Sequence, residues 1–134
     1  MASILKVDEM QGVTAADQIT ITADASVTMT LQEGVLKHWT NIDGTGTIST
    51  RDSLNQSSIS DQATGVYKSF FTSSLSSTDN VCACTNGHRA EDQAIGTRQA
   101  NITTARISYQ SHEHTSTTDE DTDSVFGMTV GVLA

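Results

Sequence analysis

Residues 39–71 read WTNIDGTGTISTRDSLNQSSISDQATGVYKSFF, and this stretch holds four of the six aromatic residues of the chain. Aromatic side chains bury the largest apolar area per residue, so we expect the core to form here. Two turn signals divide the stretch, DGTG at 43–46 and DQATG at 61–65, because glycine adopts a positive φ at little cost. The apolar residues between the turns are short, often β-branched and interleaved with Ser and Thr. This pattern predicts a β-meander.

Outside this stretch, alternating apolar and polar residues predict further strands. Residues 13–31 alternate on either side of a turn at 24–26, which is typical of a hairpin. Residues 32–39 predict a loop or a single helical turn, and the polar residues 87–99 predict an exposed loop. Further strands are expected at 81–86, 102–109 and 125–133. The sequence therefore predicts an all-β protein, an antiparallel β-sandwich of the jelly-roll-like or Greek-key kind.

The composition limits how large a core the chain can build for itself. Its 134 residues suit one domain, but only 36% of them are hydrophobic and 4% aromatic. Disorder is one outcome of such a composition, yet the β-patterned segments argue against it. We therefore expect a folded subunit whose apolar surface is completed by neighbouring chains.

The charge balance argues against several classes of partner. With 7 basic and 16 acidic residues the formal net charge is −9, so nucleic acid is not an expected partner. A membrane is not expected either, because no apolar run approaches the about 18 residues of a spanning helix. Acidic residues Asp8 and Glu9 interrupt any secretory signal at the start of the sequence.

The first twelve residues carry an apolar set that is large for a chain terminus, Ile4, Leu5, Val7 and Met10. Exposed apolar side chains at a terminus indicate a partner, so residues 1–12 are predicted to be an extended arm that docks on another protein. An edge strand packed on its own domain is the alternative. On this interpretation residues 13–134 form the single sandwich domain.

Three short motifs lie in the central stretch: W-x-N-x-D-G-T-G at 39–46, R-D-S-x-N at 51–55 and D-x-x-T-G-x-Y at 61–67. Together they resemble a domain of tail-fibre-like and virion-surface proteins of tailed phages, marine phages in particular. Weaker matches continue as far as residue 132, so the resemblance covers most of the chain. The residues that the resemblance marks as structural are Trp39, Asp43, Gly44, Arg51, Asp52, Asn55, Tyr67 and, just after the last motif, Phe70. Arg51 and Asp52 are expected to hold the meander through paired polar contacts.

The resemblance implies a non-enzymatic structural protein displayed on the exterior of a phage virion and assembled in the host cytoplasm. The chain is too short for a long fibre shaft, which favours a capsid decoration or head-fibre protein bound to the major capsid protein. The alternative is a short tail fibre or receptor-binding tip, held by tail proteins, that recognises a host surface glycan. Sugar sites usually need exposed aromatic residues, and the six present are expected to be needed mostly in the core.

The closing strand is the predicted subunit interface. Phe126, Met128, Val130 and Val132 alternate with small residues, among them Gly127, so one face can serve the core while the other packs against a neighbour. Related fibre domains assemble around a three-fold axis, so the resemblance implies a homotrimer. The sequence itself indicates only more than one copy.

Three clusters could hold a metal ion, and none is predicted to do so. Cys82 and Cys84 form C-x-C with Cα atoms about 6.6 Å apart on a strand, too far for an easy disulfide. We expect them to be small buried residues, with an intersubunit disulfide or a metal site as alternatives. His112 and His114 could bind zinc and the acidic run at 119–123 could bind calcium, but solvated loops are expected at both places.

No cofactor and no catalytic activity are predicted. The many serines include none in a G-x-S-x-G turn, and no nucleophile, base and orienting residue stand out together.

Overall fold

The computed structural model describes residues 9, 19–24, 27–30, 35–88, 95–113 and 118–134, and every regular element in these ranges is a β-strand. No helix in these ranges is long and apolar enough to cross a membrane. The chain divides into two compact units, residues 1–34 and 35–134. The ten strands are β1 Thr20–Asp24, β2 Val27–Thr30, β3 Leu36–Asp43, β4 Ser49–Leu54, β5 Gln56–Ala63, β6 Val66–Phe71, β7 Cys82–His88, β8 Ile95–Thr103, β9 Arg106–Glu113 and β10 Ser124–Val130.

The first unit contains a β-hairpin. Strands β1 and β2 pair antiparallel, with Thr20 opposite Thr30 and Ile21 opposite Met29. The hairpin predicted in this part of the sequence is therefore confirmed. The predicted docking residues Ile4, Leu5, Val7 and Met10 lie outside the described residues.

The second unit consists of two antiparallel four-stranded sheets arranged as a β-sandwich, which confirms the predicted fold class. The first sheet has the order β4-β3-β10-β7, and the second has the order β5-β6-β9-β8. The last strand of the chain lies between β3 and β7, so the sequence-distant ends of this unit meet at the centre of the first sheet.

The central stretch does not form a simple meander. Strands β3 and β4 pair in the first sheet and β5 and β6 pair in the second, so the chain changes sheets between β4 and β5. Asn55 makes this change with a φ of 57°. Its side-chain Nδ2 donates to the Ser73 carbonyl at 3.0 Å, and its Oδ1 accepts from the Ser73 amide at 2.7 Å. This pair of bonds offsets the strain of the left-handed conformation.

A small apolar core lies between the sheets. On β6 the inward positions are Tyr67, Ser69 and Phe71, which fits the strand period of two. The central stretch does contribute core aromatics, but Trp39 and Phe70 are partly exposed. The buried apolar residues are Ile42, Tyr67, Phe71, Leu75, Ile107, Tyr109 and Val125.

Two buried tyrosines on the second sheet extend across the core to the first sheet, where they contact Gly127 on β10 and Gly44 just after β3. Tyr67 and Tyr109 are directly opposite each other on β6 and β9, and both are 0% exposed. A Cβ atom on Gly44 would lie 2.2 Å from the Tyr67 hydroxyl, and one on Gly127 would lie 2.2 Å from the Tyr109 hydroxyl. Each ring therefore requires a residue without a side chain opposite it.

The two hydroxyl groups have different surroundings. Tyr67 donates to Asp121 Oδ1 at 3.1 Å and accepts from the Thr122 amide at 3.3 Å. Burial raises the pKa of Tyr67 to about 12, and the Asp121 carboxylate adds to this shift. The Tyr109 hydroxyl has no hydrogen-bond partner among the described residues, and burial raises its pKa as well.

Parts of two predicted loops are strands. Residues 36–39 of the loop or helical turn expected at 32–39 belong to β3, and residues 87–88 and 95–99 of the loop expected at 87–99 belong to β7 and β8. Residues 36–43 form β3, whose inward side carries the polar His38 and Thr40 together with Ile42, so hydropathy alternation is absent. Residues 95–103 form β8 through backbone pairing with β9, from Ile95 opposite Glu113 to Thr103 opposite Arg106. Backbone pairing of this kind leaves no mark in a polar sequence.

The Tyr67→Phe and Tyr109→Phe variants form a matched pair that tests these surroundings. We expect Tyr67→Phe to lower the free energy of unfolding by about 1–2 kcal/mol, because it loses two hydrogen bonds and leaves Asp121 short of a donor. Tyr109→Phe removes an unpartnered buried hydroxyl, so stability should be unchanged or higher. Denaturant unfolding measures both. Equal losses in the two variants would contradict the described hydrogen bonds.

Stability should also fall in acid because of His38. This side chain is fully buried, its Nε2 lies 2.9 Å from Ser69 Oγ, and burial lowers its pKa from 6.5 to about 4. Between these pH values the unfolded chain binds a proton that the folded chain does not. The contribution of His38 to the free energy of unfolding is therefore fully present above pH 6.5. It falls by up to about 3 kcal/mol as the pH approaches 4.

The pH dependence is checked by denaturant unfolding at several pH values between 7 and 4. His38→Gln should lose this part of the slope, whereas His88→Gln, which changes an exposed histidine, should keep it. An unchanged slope in His38→Gln would show that carboxylates alone cause the acid sensitivity.

Candidate partner-binding face

The outer face of the first sheet carries a continuous row of apolar side chains. Leu54 lies opposite Trp39, Trp39 opposite Met128, and Met128 opposite Cys84, so the row crosses all four strands. Directly opposed residues of antiparallel strands project to the same side of a sheet. The row is therefore one contiguous surface rather than four scattered side chains.

Two more rows lie beside it. Towards one end of the strands, Val130 lies opposite both Leu36 and Cys82. Towards the other end, Phe126 lies opposite both Asn41 and Asn86. We call the three rows together the outer face. The first two rows are apolar, whereas in the third row the side-chain amides of Asn41 and Asn86 flank Phe126.

Several apolar side chains of the outer face are exposed to solvent. Leu54 is 46% exposed, Phe126 43% and Met128 49%. Contiguous exposed apolar area on a folded domain marks an interaction site or a ligand site more often than isolated apolar residues do. In the predicted subunit interface, Phe126 and Met128 lie on this face, Val130 is half-buried, and Val132 follows the end of β10.

A shallow cavity of about 380 Å³ occupies the centre of the outer face. This volume is at the lower end of the range for small-molecule sites, about 300–1,000 Å³. Its lining includes Leu36, Trp39, Cys84, Asn86, Phe126 and Met128.

The two cysteines are not buried, contrary to expectation. Cys82 and Cys84 are both free thiols and both exposed. Side chains on β7 alternate between exposed and half-buried, and both cysteines fall on the exposed side. The expectation is wrong because the inward positions of β7 are taken by the small residues Ala83, Thr85 and Gly87, which leaves the cysteines on the outward side with Asn86 and His88.

Arg51 ties together the three strands β4, β3 and β10. It lies at a bulge, since Asn41 pairs with Asp52 and the adjacent Ile42 pairs with Thr50. From the bulge Arg51 forms an ion pair of 2.8 Å with Asp43 and donates a hydrogen bond to Ser124 Oγ. The side chain therefore connects the edge strand β4 to the start of β10.

Asp43 is also held by its own turn. Its Oδ1 accepts from the Thr45 hydroxyl at 2.7 Å and from the Thr45 amide at 3.0 Å. These bonds, with a smaller contribution from Arg51, hold the pKa of Asp43 below its usual value. Asp52, by contrast, accepts from the amide of the next residue, Ser53, at 2.8 Å, and forms no ion pair with another described residue. Of the paired motif residues, Arg51 contacts distant strands and Asp52 acts locally.

The acidic run at 119–123 is docked rather than solvated. Asp121 Oδ1 accepts from the Gly65 amide at 2.7 Å as well as from Tyr67, and Thr122 is fully buried. Asp119 accepts from Gln110 Nε2 at 2.7 and 2.8 Å. The expectation of an exposed acidic turn is therefore wrong, because these oxygens serve as internal hydrogen-bond acceptors.

The histidines and acidic residues are possible metal ligands. In the part of the chain that the structure describes, no group of three or more His, Cys, Asp or Glu side chains is placed to hold an ion. His112 forms an isolated bridge with Asp119, and His114 lies outside the described residues.

The sequence placed Phe126 and Met128 on one side of a strand but did not reveal Leu54 and Trp39 as their neighbours. Cross-strand register brings these residues together, and no local pattern encodes it. The marked motif residues Gly44 and Tyr67 do contact each other, whereas Phe70 lies elsewhere, opposite Ser58 and Arg106.

Comparison of the chain with models of protein families, with curated proteins and with solved structures finds no match in any of the three. The resemblance to phage surface proteins therefore stands on its short motifs alone.

Replacement of Arg51 and of Asp52 should have unequal effects. We expect Arg51→Ala to lower the free energy of unfolding by about 0.5–1.5 kcal/mol, because a partly exposed ion pair and a bond to the nearly buried Ser124 are lost. Asp52→Ala, the matched control, should cost less than about 0.5 kcal/mol. Thermal unfolding measures both. An Arg51→Ala variant that melts like the wild type but fails to bind its partner would assign Arg51 to recognition instead.

Proposed function

We propose that this chain is a non-enzymatic structural subunit of a phage particle, a capsid decoration or head-fibre protein that docks on the capsid exterior. The observation that carries the assembly role is the exposed apolar outer face of the first sheet. The motif resemblance supports the phage particle as the assembly. Other virion proteins and further copies of the chain, three in the trimer that the resemblance implies, are the proposed partners.

The outer face has the composition of an interface centre. Specific interfaces bury about 800 Å² on each partner, with an apolar centre and a polar rim. Trp39, Phe126 and Met128 would supply the centre, and aromatic and Met side chains are enriched in such positions. Asn86 and Asp52 lie at the ends of the third row and would belong to the rim.

The scaffold beneath the outer face favours binding without rearrangement. The Arg51 contacts join three of the four strands, and the tyrosine contacts connect the first layer to the second sheet. A face that is already ordered loses little conformational entropy when a partner covers it. A rigid binding face of this kind suits a subunit that binds many identical sites on the capsid surface, each in the same orientation.

A host surface glycan is a second candidate partner, in which case the chain would be a receptor-binding tip. The observation that favours it is the partial exposure of Phe126 and Trp39, which the core does not use. Apolar ring faces can stack on the C–H groups of a sugar, and Asn86 at the same cavity can hydrogen-bond hydroxyl groups.

A charge placed at the centre of the outer face should prevent assembly. We expect the wild-type chain to scatter light as a multiple of its 14.2 kDa mass, and Met128→Glu to be a folded monomer. Burying a carboxylate in an apolar interface is costly unless it is paired. The matched control is Ser58→Glu, at an exposed position on the edge strand of the second sheet, which should behave like the wild type.

Incorporation into particles completes this test. Met128→Glu should be missing from purified virions, whereas Ser58→Glu should be present at the copy number of the wild type. Normal incorporation of Met128→Glu would contradict docking through the outer face, even if the isolated chain is a monomer.

A fluorescence titration separates the two candidate functions. The single tryptophan, Trp39, lines the cavity, so a bound oligosaccharide should shift its emission. A saturable shift with host polysaccharide that Phe126→Ala weakens would favour the receptor-binding tip. A flat titration would favour the capsid role.

A further inference from the structure

We propose that Cys82, Cys84 and Met128 form a binding site for one soft metal ion of the copper(I) class. The three sulfur atoms belong to the adjacent strands β7 and β10 of the outer face. No three His, Cys, Asp or Glu residues in the described ranges are placed to hold an ion, so the thioether of Met128 is the third ligand of this site. The site goes beyond the proposed structural function but lies on the same outer face, so a partner that covers this face would compete with the ion.

The spacing of the two thiols suits a bridging ion better than a disulfide. Both side chains are exposed on the same side of β7, and residues two apart on a strand have Cα atoms about 6.6 Å apart. This separation is near the upper limit for a disulfide, whose sulfur atoms lie about 2.05 Å apart. An ion held by three sulfur atoms at about 2.3 Å, with angles near 120°, keeps these atoms about 4.0 Å apart, which is nearly twice the separation in a disulfide.

Met128 supplies the third sulfur. It lies directly opposite Cys84 on the adjacent strand β10, where Cβ atoms of opposed residues are about 4.5–5.5 Å apart. Its side chain is 49% exposed and lines the same cavity as Cys84. Because methionine is unbranched, its thioether can turn towards the thiols without moving the backbone.

The ligand set and its surroundings select the class of ion. Thiolate and thioether ligands favour copper(I), whereas magnesium, calcium and manganese prefer oxygen. The cavity beside Cys84 and Met128 is lined by apolar residues and by the neutral polar residues Thr40, Thr85 and Asn86. None of its lining residues is charged, so it offers no carboxylate to a hard cation. Each thiol that binds gives up its proton, so the two thiolates and one copper(I) ion leave a site with a single negative charge.

The experiment uses the full, reduced chain in oxygen-free buffer, with copper(I) supplied as its coloured bicinchoninate complex. We expect the chain to remove one copper(I) per monomer, seen as loss of the complex's absorbance. Trp39 fluorescence should be quenched in parallel, because Trp39 lies directly opposite Met128. Copper(I) that stays with bicinchoninate would overturn the proposal.

Three variants identify the ligands. The double variant Cys82→Ser with Cys84→Ser should lose copper(I) transfer, while Met128→Leu, which keeps the apolar shape, should bind about tenfold more weakly, or about 1.4 kcal/mol. Ser58→Ala, at an exposed position on the edge strand of the second sheet, is the control and should bind like the wild type. Unchanged affinity in Met128→Leu, binding that survives without both thiols, or one ion shared by two chains would each overturn the three-sulfur site. Charge-disrupted assembly in Met128→Glu bears only on the structural role, so the two proposals fail separately.

Discussion

The sandwich depends on the contact of two tyrosine rings with two glycines across the layers. Tyr67 and Tyr109 stand side by side on the second sheet, and their hydroxyl groups reach the backbone at Gly44 and Gly127. Packed sheets are separated by about 10 Å, a space that a tyrosine nearly fills by itself. Any side chain at either glycine would overlap the ring, so these contacts fix both the separation of the layers and the lateral position of β10.

The exposed apolar face follows from the same contact. Side chains on a strand alternate, so a Gly127 that faces inward obliges Phe126 and Met128 to face outward. A register shift of one residue would bury the apolar set, but it would also place a bulky side chain against Tyr109. Strand β10 therefore places its small residues towards the core and its apolar residues on the surface. Only a binding partner can then remove these apolar side chains from water.

Hydrogen bonds compensate for the small apolar core. His38 with Ser69, Tyr67 with Asp121, and Arg51 with Ser124 each join residues far apart in sequence. Such bonds specify geometry, because a buried donor without its acceptor costs more than the bond itself contributes.

The sequence by itself determined the class of fold and several of its elements. Alternation predicted the β1–β2 hairpin and the closing strand, and glycine with turn residues predicted the turns around Gly46 and Gly65, both of which have positive φ. Only the tertiary structure decided that β3 is a strand with polar residues inside, that Asn55 moves the chain between sheets, and that the cysteines are exposed. These features depend on which strands become neighbours and on which side chains of β10 face inward, a choice that the contact with Tyr109 decides. No local sequence pattern contains this information.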